Sequence, residues 1–351
     1  MSGTLEKSII SPAEASGLVQ EAYDTVTASL PMAQVLPDKS NGGDLLVEWA
    51  PNFVLDQDDA EFRAWDAEAG YGRTRGGGQT KHTELIAMSR KLRVTEKDII
   101  RFGASTDAIR SRLEENLVQL GKEVAWRTER ARLDVALNAK LSVDENNIKG
   151  VYDFERDASL DVTPAVAWDK AEATPIKDIR AWVDAVKALR GMVPKAVVTT
   201  SDVLNALSQN PSIIMIATGH SKANIPDMIG IDQVKAVLQS FTGIGQFLLA
   251  DEVYQESNVK YSTTFDSKFP ATSFLMLPQL GTTAVGFTAS GPTVEAGDAE
   301  YAVGKAENSG WVGAVFSTAT PPAYEAYVNG SVLPVLTQAN STVRASVLTK
   351  V

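Results

Sequence analysis

One long stretch without proline constrains the fold of this chain more than any other feature. Residues 104–140 contain no proline, and their main weak point as a helix is Gly121. Apolar side chains recur at helical spacing on one side, while arginine, lysine, glutamate and aspartate alternate on the other. The apolar stripe consists of Ile109, Leu113, Leu117, Leu120, Val124, Ala131 and Val135. The pattern predicts one helix of about 50 Å with a buried face, and its spacing breaks too early for a coiled coil.

The N-terminal residues contain apolar groups, but too few to form a core of their own. Ser11–Glu14 is a capping box with Pro12 at the first helical position, which predicts a short amphipathic helix. Beyond that helix, the apolar pieces at 45–51 and 53–55 are short and interrupted. We therefore expect residues 1–57 to become ordered by packing on other molecules.

Residues 56–98 have a different character. Charged and aromatic residues are followed by a glycine-rich run at 70–78, and then by rough period-two alternation from Thr83 to Glu96. This pattern predicts an extended β-ribbon with a flexible tip. Because an isolated two-stranded ribbon is marginal in water, we expect it to dock on a surface elsewhere.

Helical and extended patterns alternate in the second half of the chain. Asn146-Asn147 predicts a turn, and a strand-like segment follows at 151–154. Further helices are expected at 175–190, 202–210 and 232–241, and further strands at 196–199, 247–250, 274–277, 282–288, 324–328, 332–336 and 343–347. This alternation predicts an α/β unit with a mixed sheet.

The composition excludes several classes of function. The chain has no cysteine, which excludes disulfides, thiolate metal sites and a cysteine nucleophile. Its formal net charge of -11 leaves no generic basic surface for nucleic acid. The start lacks the pattern of a secretion signal, and no run approaches the ~18 apolar residues of a membrane span. We expect a soluble protein that stays in a cytoplasm.

No catalytic, cofactor-binding or metal-binding constellation can be assembled from the sequence. His82 and His220 fall in different predicted regions, so neither a triad nor a histidine metal site is indicated. Gly281–Gly286 has Walker-like glycine spacing, but Phe287 stands where the required lysine would be. We interpret the basic run Gly72–Gly78 as a mobile loop that pairs with acidic groups on a neighbouring molecule.

The predicted elements follow one another in a distinctive order over nearly the whole chain: a coreless arm, a ribbon, a very long helix, an α/β domain and returning strands. This order resembles the tailed-phage major capsid fold of the Hong Kong ninety-seven type, more narrowly the lambda-like major capsid protein E group. The segments that carry the resemblance are Val94–Asp98, the helix from Ser105, Lys195–Val203, Gln246–Tyr254 and Ser331–Leu336.

The resemblance implies an α+β fold class and a division into four regions. The regions are an N-terminal arm (1–57), an extended β-ribbon loop over an adjacent subunit (58–98), a peripheral domain (99–172 and 325–351) around the spine helix (104–140), and an α/β axial domain (173–324).

The resemblance also implies a function without enzymatic activity or cofactors. Copies of the chain would self-assemble into the pentamers and hexamers of an icosahedral phage head that encloses double-stranded DNA. Implied partners are other copies, scaffolding, portal and decoration proteins, and DNA by weak non-specific contact only. Assembly would take place in the cytoplasm of the bacterial host, and the mature location would be the virion.

Apolar and basic side chains near the N-terminus are the candidates for contacts between subunits. They are Trp49, Phe53, Phe62, Trp65, Arg73, Arg75 and Lys81. Two other interpretations remain open. One is an encapsulin-like nanocompartment shell, which shares the fold but encloses protein cargo, and the other is an α/β enzyme with an unrecognised carboxylate or lysine site.

Overall fold

A computed structural model of the chain confirms the α+β class that the sequence predicts. The structure describes residues 3–51, 62–65, 68, 80–101, 103, 105–146, 148–189, 191–220, 224–250, 269–303 and 310–349. Its helices are α1 (Pro12–Ser29), α2 (Pro31–Val35), α3 (Glu96–Arg101), α4 (Thr106–Asn138), α5 (Pro175–Ala188), α6 (Ser201–Gln209), α7 (Pro211–Thr218), α8 (Ile231–Thr242) and α9 (Val294–Gly297). Its strands are β1 (Thr4–Leu5), β2 (Asp38–Ser40), β3 (Leu46–Trp49), β4 (Lys81–Glu84), β5 (Ile86–Val94), β6 (Lys140–Glu145), β7 (Ile148–Asp153), β8 (Asp161–Val162), β9 (Ala196–Thr199), β10 (Gln246–Leu249), β11 (Ser273–Leu277), β12 (Gly286–Gly291), β13 (Val312–Ala319), β14 (Pro322–Leu336) and β15 (Val343–Ser346).

The long helix α4 organises the molecule. It has 33 residues, and its C-cap Ala139 takes the left-handed conformation with φ 50°. Every residue of the apolar stripe predicted from the sequence is buried. The prediction of one long helix is therefore confirmed, with ends slightly inside the predicted limits of 104 and 140.

Six strands form a sheet that packs on α4. Their order is β1-β13-β14-β12-β2, and β5 pairs with β14 outside this path. The long strand β14 runs antiparallel to β13, β12 and β5, and its register with β5 extends over all residues of β5. Val328 and Val332 of β14 are buried in the same core as Leu117 of α4. Removal of these apolar side chains from water is the main contribution that holds sheet and helix together.

A second sheet carries helices α5 to α8. Its order is β10-β9-β11-β15-β8, with β9 parallel to β10, β15 parallel to β8, and β11 antiparallel to both of its neighbours. The four helices share one core with β9, β11 and β15. Within it, the ring centroid of Trp168 lies 5.7 Å from that of Trp182 and 5.0 Å from that of Phe274. The α/β unit with a mixed sheet is as predicted.

The N-terminal residues pack inside their own chain, which differs from the prediction. Ile10, Val19 and Tyr23 are buried in the same core as α4. Helix α1 lies so close to α4 that a Cβ atom at Gly121 would be 2.5 Å from the carbonyl oxygen of Val19. The expectation that this segment lacks an interior is wrong for residues 3–51, because the apolar stripe of α4 is long enough to pack on both α1 and β14.

The predicted ribbon does not form a two-stranded unit of its own. β5 is an extended strand as expected, but it pairs with β14, while β4 pairs with β3. Both strands therefore dock within the same chain. The glycine-rich run at 70–78, predicted to be a flexible tip, lies outside the described residues.

The sheets also cross the predicted division into domains. The resemblance assigns residues 325–351 to the peripheral domain, and in the structure β15 pairs with β11 in the second sheet. It assigns residues 173–324 to the axial domain, yet β12 pairs with β14 in the first sheet. A boundary at residue 324 therefore does not separate the two sheets.

Candidate functional site

Phe62 and Trp65 present two large apolar side chains to water. Their relative exposures are 108% and 97%, so almost none of their surface is packed within the chain. Burial of such a side chain against another molecule contributes about 1.5–3 kcal/mol. Of the other predicted contact residues, Phe53, Arg73 and Arg75 lie outside the described residues. Phe62 and Trp65 are thus the clearest candidates for contact with another molecule.

Trp49 lies inside the chain instead of at its surface. Its relative exposure is 5%, and its ring centroid is 5.3 Å from that of Phe154. The indole Nε1 donates a hydrogen bond of 2.9 Å to Thr83 Oγ1. Lys81 Nζ lies 5.6 Å from the centroid of the same indole and forms an ion pair with Glu155. The expectation that Trp49 is exposed is wrong, because β4 and the residue after β7 cover it.

Further apolar side chains are exposed on surfaces that the sequence analysis does not select. They lie in α3, the β6–β7 hairpin, the α7–α8 region and α9. The residues are Ile100, Ile148, Val151, Ile216, Met228, Phe241 and Val294. The exposure of Val151 could have been predicted from the sequence, since period-two alternation places it and Tyr152 on opposite faces of β7.

The residues with catalytic or phosphate-binding potential lie in separate elements. His82 is exposed on β4, and His220 is exposed just beyond the C-terminus of α7. Gly286 of the Walker-like segment packs on β14, where a Cβ atom would be 2.3 Å from the carbonyl oxygen of Val335. Among the described residues, no group of three or more potential metal ligands occurs. Within the same ranges, no helix has the length and hydropathy required to cross a membrane.

A buried polar cluster on α4 holds the N-terminal segment. The side chain of Arg132 has no exposed surface, although the sequence pattern places the charged residues of α4 on the solvent-exposed face. Its Nε donates a hydrogen bond of 2.9 Å to Thr288 Oγ1, and its Nη2 donates to Asp38 Oδ1 at 2.5 Å and to the Tyr23 hydroxyl at 3.3 Å. Thr288 Oγ1 in turn donates to the carbonyl oxygen of Leu36 at 2.8 Å. Arg132 therefore connects α1, β2 and β12 to α4.

The electrostatics of this cluster favour a neutral phenol beside a charged guanidinium. Burial raises the pKa of Tyr23 to about 12, with a smaller opposing effect of Arg132 and a further increase from Asp38. Burial disfavours the charge of Arg132, but Tyr23, Asp38 and Glu129 together hold the pKa of Arg132 above its usual range. The Tyr23 hydroxyl donates to Asp38 Oδ2 at 3.1 Å. A cavity of about 90 Å³ lies beside Tyr23 and Asp38 and is also lined by Trp311. The cluster is arranged to hold segments together, and it contains no activated nucleophile.

Comparison with solved structures finds likenesses over almost the full length of the chain. A phage-related protein from Bordetella bronchiseptica RB50 is 12% identical, with 99% of this chain and 98% of that chain covered at a TM-score of 0.52. A protein described as a proposed capsid protein of a prophage of E. coli CFT073 is 11% identical, with 95% of this chain and 98% of that chain covered at a TM-score of 0.57.

No protein-family model matches the sequence, and no curated protein matches it. The likeness to the two solved structures therefore concerns the fold. The chain has the α+β capsid fold that the order of its predicted elements indicated.

Proposed function

We propose that this chain is the major capsid protein of a tailed phage, and that its copies assemble into the pentamers and hexamers of an icosahedral head that encloses double-stranded DNA. The observation that carries the proposal is the extent of the likeness in fold, which covers 95% of this chain and 98% of the proposed prophage capsid protein. Because one fold can host several functions, the surface of the subunit supplies a second line of support.

The exposed apolar side chains support self-assembly. Phe62 and Trp65 are almost fully exposed in the single chain, and exposure of such large apolar side chains disfavours a soluble monomer. In a closed shell each subunit surface meets a complementary surface on another copy, so these side chains become buried. We assign both residues to contacts between subunits, together with Phe53, Arg73, Arg75 and Lys81 as predicted from the sequence.

The charge of the chain supports an enclosing role toward DNA. A formal net charge of -11 opposes close and extensive contact with phosphates. A shell wall that attracted the duplex strongly would hinder its packing and release. Contact with packaged DNA is therefore weak and non-specific in this proposal.

The remaining assignments follow from the same proposal. Residues 1–57 and 58–98 act as arm and loop, and the two sheets with α4 form the body of the subunit. Scaffolding, portal and decoration proteins of the same phage are the expected partners, and the chain has no enzymatic role. Assembly takes place in the cytoplasm of the bacterial host, and the finished protein resides in the virion.

Expression of the chain in bacteria, followed by negative-stain electron microscopy and analysis of particle contents, tests the proposal. We expect closed shells of uniform diameter, and heads recovered from a phage source that contain this chain and double-stranded DNA. Shells that hold a protein cargo in place of DNA would favour a protein nanocompartment. A chain that stays monomeric throughout a concentration series and binds a small ligand would contradict the proposal.

A further inference from the structure

Two of the segments that pass from one sheet to the other meet at Arg156. β14 ends at Leu336 in the first sheet and β15 begins at Val343 in the second, so residues 337–342 form a direct covalent crossing. The chain after α4 also crosses, through the β6–β7 hairpin to β8. Arg156 lies on this second path, between β7 and β8.

The guanidinium of Arg156 binds three parts of the fold at once. Its side chain is 2% exposed. Nη1 and Nη2 each donate a hydrogen bond of 2.7 Å, to the carbonyl oxygens of Leu137 and Ala136 in the last turn of α4. Nε donates to Thr342 Oγ1 at 3.0 Å, and Nη1 lies 3.5 Å from Asp161 Oδ1 of β8. The end of α4, the crossing segment and the second sheet are therefore joined through one planar group.

The crossing segment is also fixed by bonds from its two sides. The backbone N–H of Asp157 donates to Asn340 Oδ1 at 2.8 Å, and the backbone N–H of Met192 donates to Ser341 Oγ at 2.8 Å. Ser341 and Thr342 are buried. A mobile hinge requires exposed backbone and few buried contacts, and this segment has neither.

We infer that Arg156 couples the two sheets rigidly, so that the angle between α4 and the second sheet is set inside each copy of the chain. A guanidinium suits this role because its donors lie in one plane at fixed directions, whereas the single ammonium of lysine cannot reproduce them. In a shell, this internal angle contributes to the curvature that neighbouring copies share. That last step rests on the proposed function.

The lack of cysteine in the chain allows a direct measurement of this angle. Glu115→Cys on α4 and Lys187→Cys on α5 place two spin labels at exposed positions, one in each half of the subunit. Labelled chain is diluted with unlabelled chain, so that electron spin resonance reports distances within one copy. We expect a narrow distance distribution in this background, and one about twice as broad when Arg156→Lys or Thr342→Val is added.

A control variant and a check that the variants fold show whether a broader distribution is due to the bonds of Arg156. Arg127→Lys alters an arginine of α4 that forms an ion pair with Glu145 of β6, and it should leave the width of the distance distribution unchanged. Unchanged widths in both Arg156→Lys and Thr342→Val, with circular dichroism of a folded chain, would overturn the coupling. Equal loss of hydrogen-exchange protection throughout both sheets would overturn it as well, since Arg156 would then stabilise the fold in general.

Particle images separate the coupling from the proposed function. We expect shells of the two variants to be more dispersed in diameter than shells of the original chain. If the distributions broaden but the original chain forms no shells, the coupling stands and the proposed function fails. If the distributions broaden and shell diameters do not change, the coupling stands without its effect on curvature.

Discussion

Arg132 is a buried cation with two carboxylate partners, Asp38 at 2.5 Å and the fully buried Glu129 at 3.7 Å. Asp38 has 38% of its side chain exposed, while the guanidinium that it pairs with is fully buried. Asp38→Asn removes the nearer carboxylate and leaves the buried guanidinium with Glu129 alone, so we expect this variant to lower the free energy of unfolding by about 2–3 kcal/mol in urea titrations. Asp184→Asn, in an exposed pair with Lys187, should change it by less than about 0.5 kcal/mol. Equal losses in the two variants would show that the buried cluster does not depend on this charge.

Tyr23 gives the same cluster a dependence on alkaline pH. Its pKa is raised from 10.0 to about 12, mainly by burial, so the unfolded chain loses this proton at a lower pH than the folded chain does. The stability due to this group is complete below pH 10 and is lost as the pH rises from 10 to 12. Over that range we expect the free energy of unfolding to fall by about 2 kcal/mol more in the original chain than in Tyr23→Phe. Parallel curves for the two chains would show that burial does not shift this tyrosine.

Single residues were predicted well where the local sequence decides their environment and poorly where distant residues do. Phe62 and Trp65 lie beside charged and glycine-rich sequence, and they are exposed as expected. Trp49 occurs in a short apolar piece, which suits an exposed contact and a core position equally. Its burial depends on Thr83 and Phe154, and no local pattern links these residues to it.

The contact between α1 and α4 depends on the absence of one methyl group. Alanine usually stabilises a helix by about 1 kcal/mol relative to glycine. At Gly121, however, the new Cβ would lie 2.5 Å from Val19 O and 2.8 Å from Ala22 Cβ, so the helices must separate. We expect Gly121→Ala to lower the free energy of unfolding by about 1–3 kcal/mol in urea titrations.

Gly17→Ala provides the matched control for this prediction. Gly17 lies in α1, and a Cβ there has no neighbouring atom within 4 Å. The free energy of unfolding of this variant should therefore rise by up to about 1 kcal/mol. Stabilisation of similar size in both variants would contradict the close packing of α1 on α4.

The elements predicted best are those whose periodicity continues over many residues. α4 repeats its apolar stripe along its whole length, so its type and approximate ends could be read from the sequence. β6 was not predicted, because it begins at Lys140 directly after the helix ends and its alternation is short. The turn after it was identified from Asn146-Asn147, and Asn146 indeed has a positive φ of 47°.

At the scale of the whole molecule, the fold class and the order of elements could be predicted, but not the partners of the strands. β5 and β14 are adjacent in space and more than two hundred positions apart in the sequence. The register of such a pair is decided by packing on α4, which forms only when the chain is folded. For the same reason, the pairing of β15 with β11 could not be predicted from the sequence.

Under the proposed function, assembly of copies of the chain should depend on apolar surface that contributes nothing to the fold of one copy. Phe62 and Trp65 are almost fully exposed, so Phe62→Ser with Trp65→Ser should leave the free energy of unfolding within about 0.5 kcal/mol of its original value. Loss of two apolar contacts of about 1.5–3 kcal/mol each should raise the concentration required for shells at least about a hundredfold. Light scattering and electron microscopy across a concentration series measure that threshold. Val294→Ser, at an apolar position that is 85% exposed, should change neither the free energy of unfolding nor the threshold concentration. An unchanged threshold in the double variant would mean that other surfaces, such as those around Val151 or Phe241, drive association.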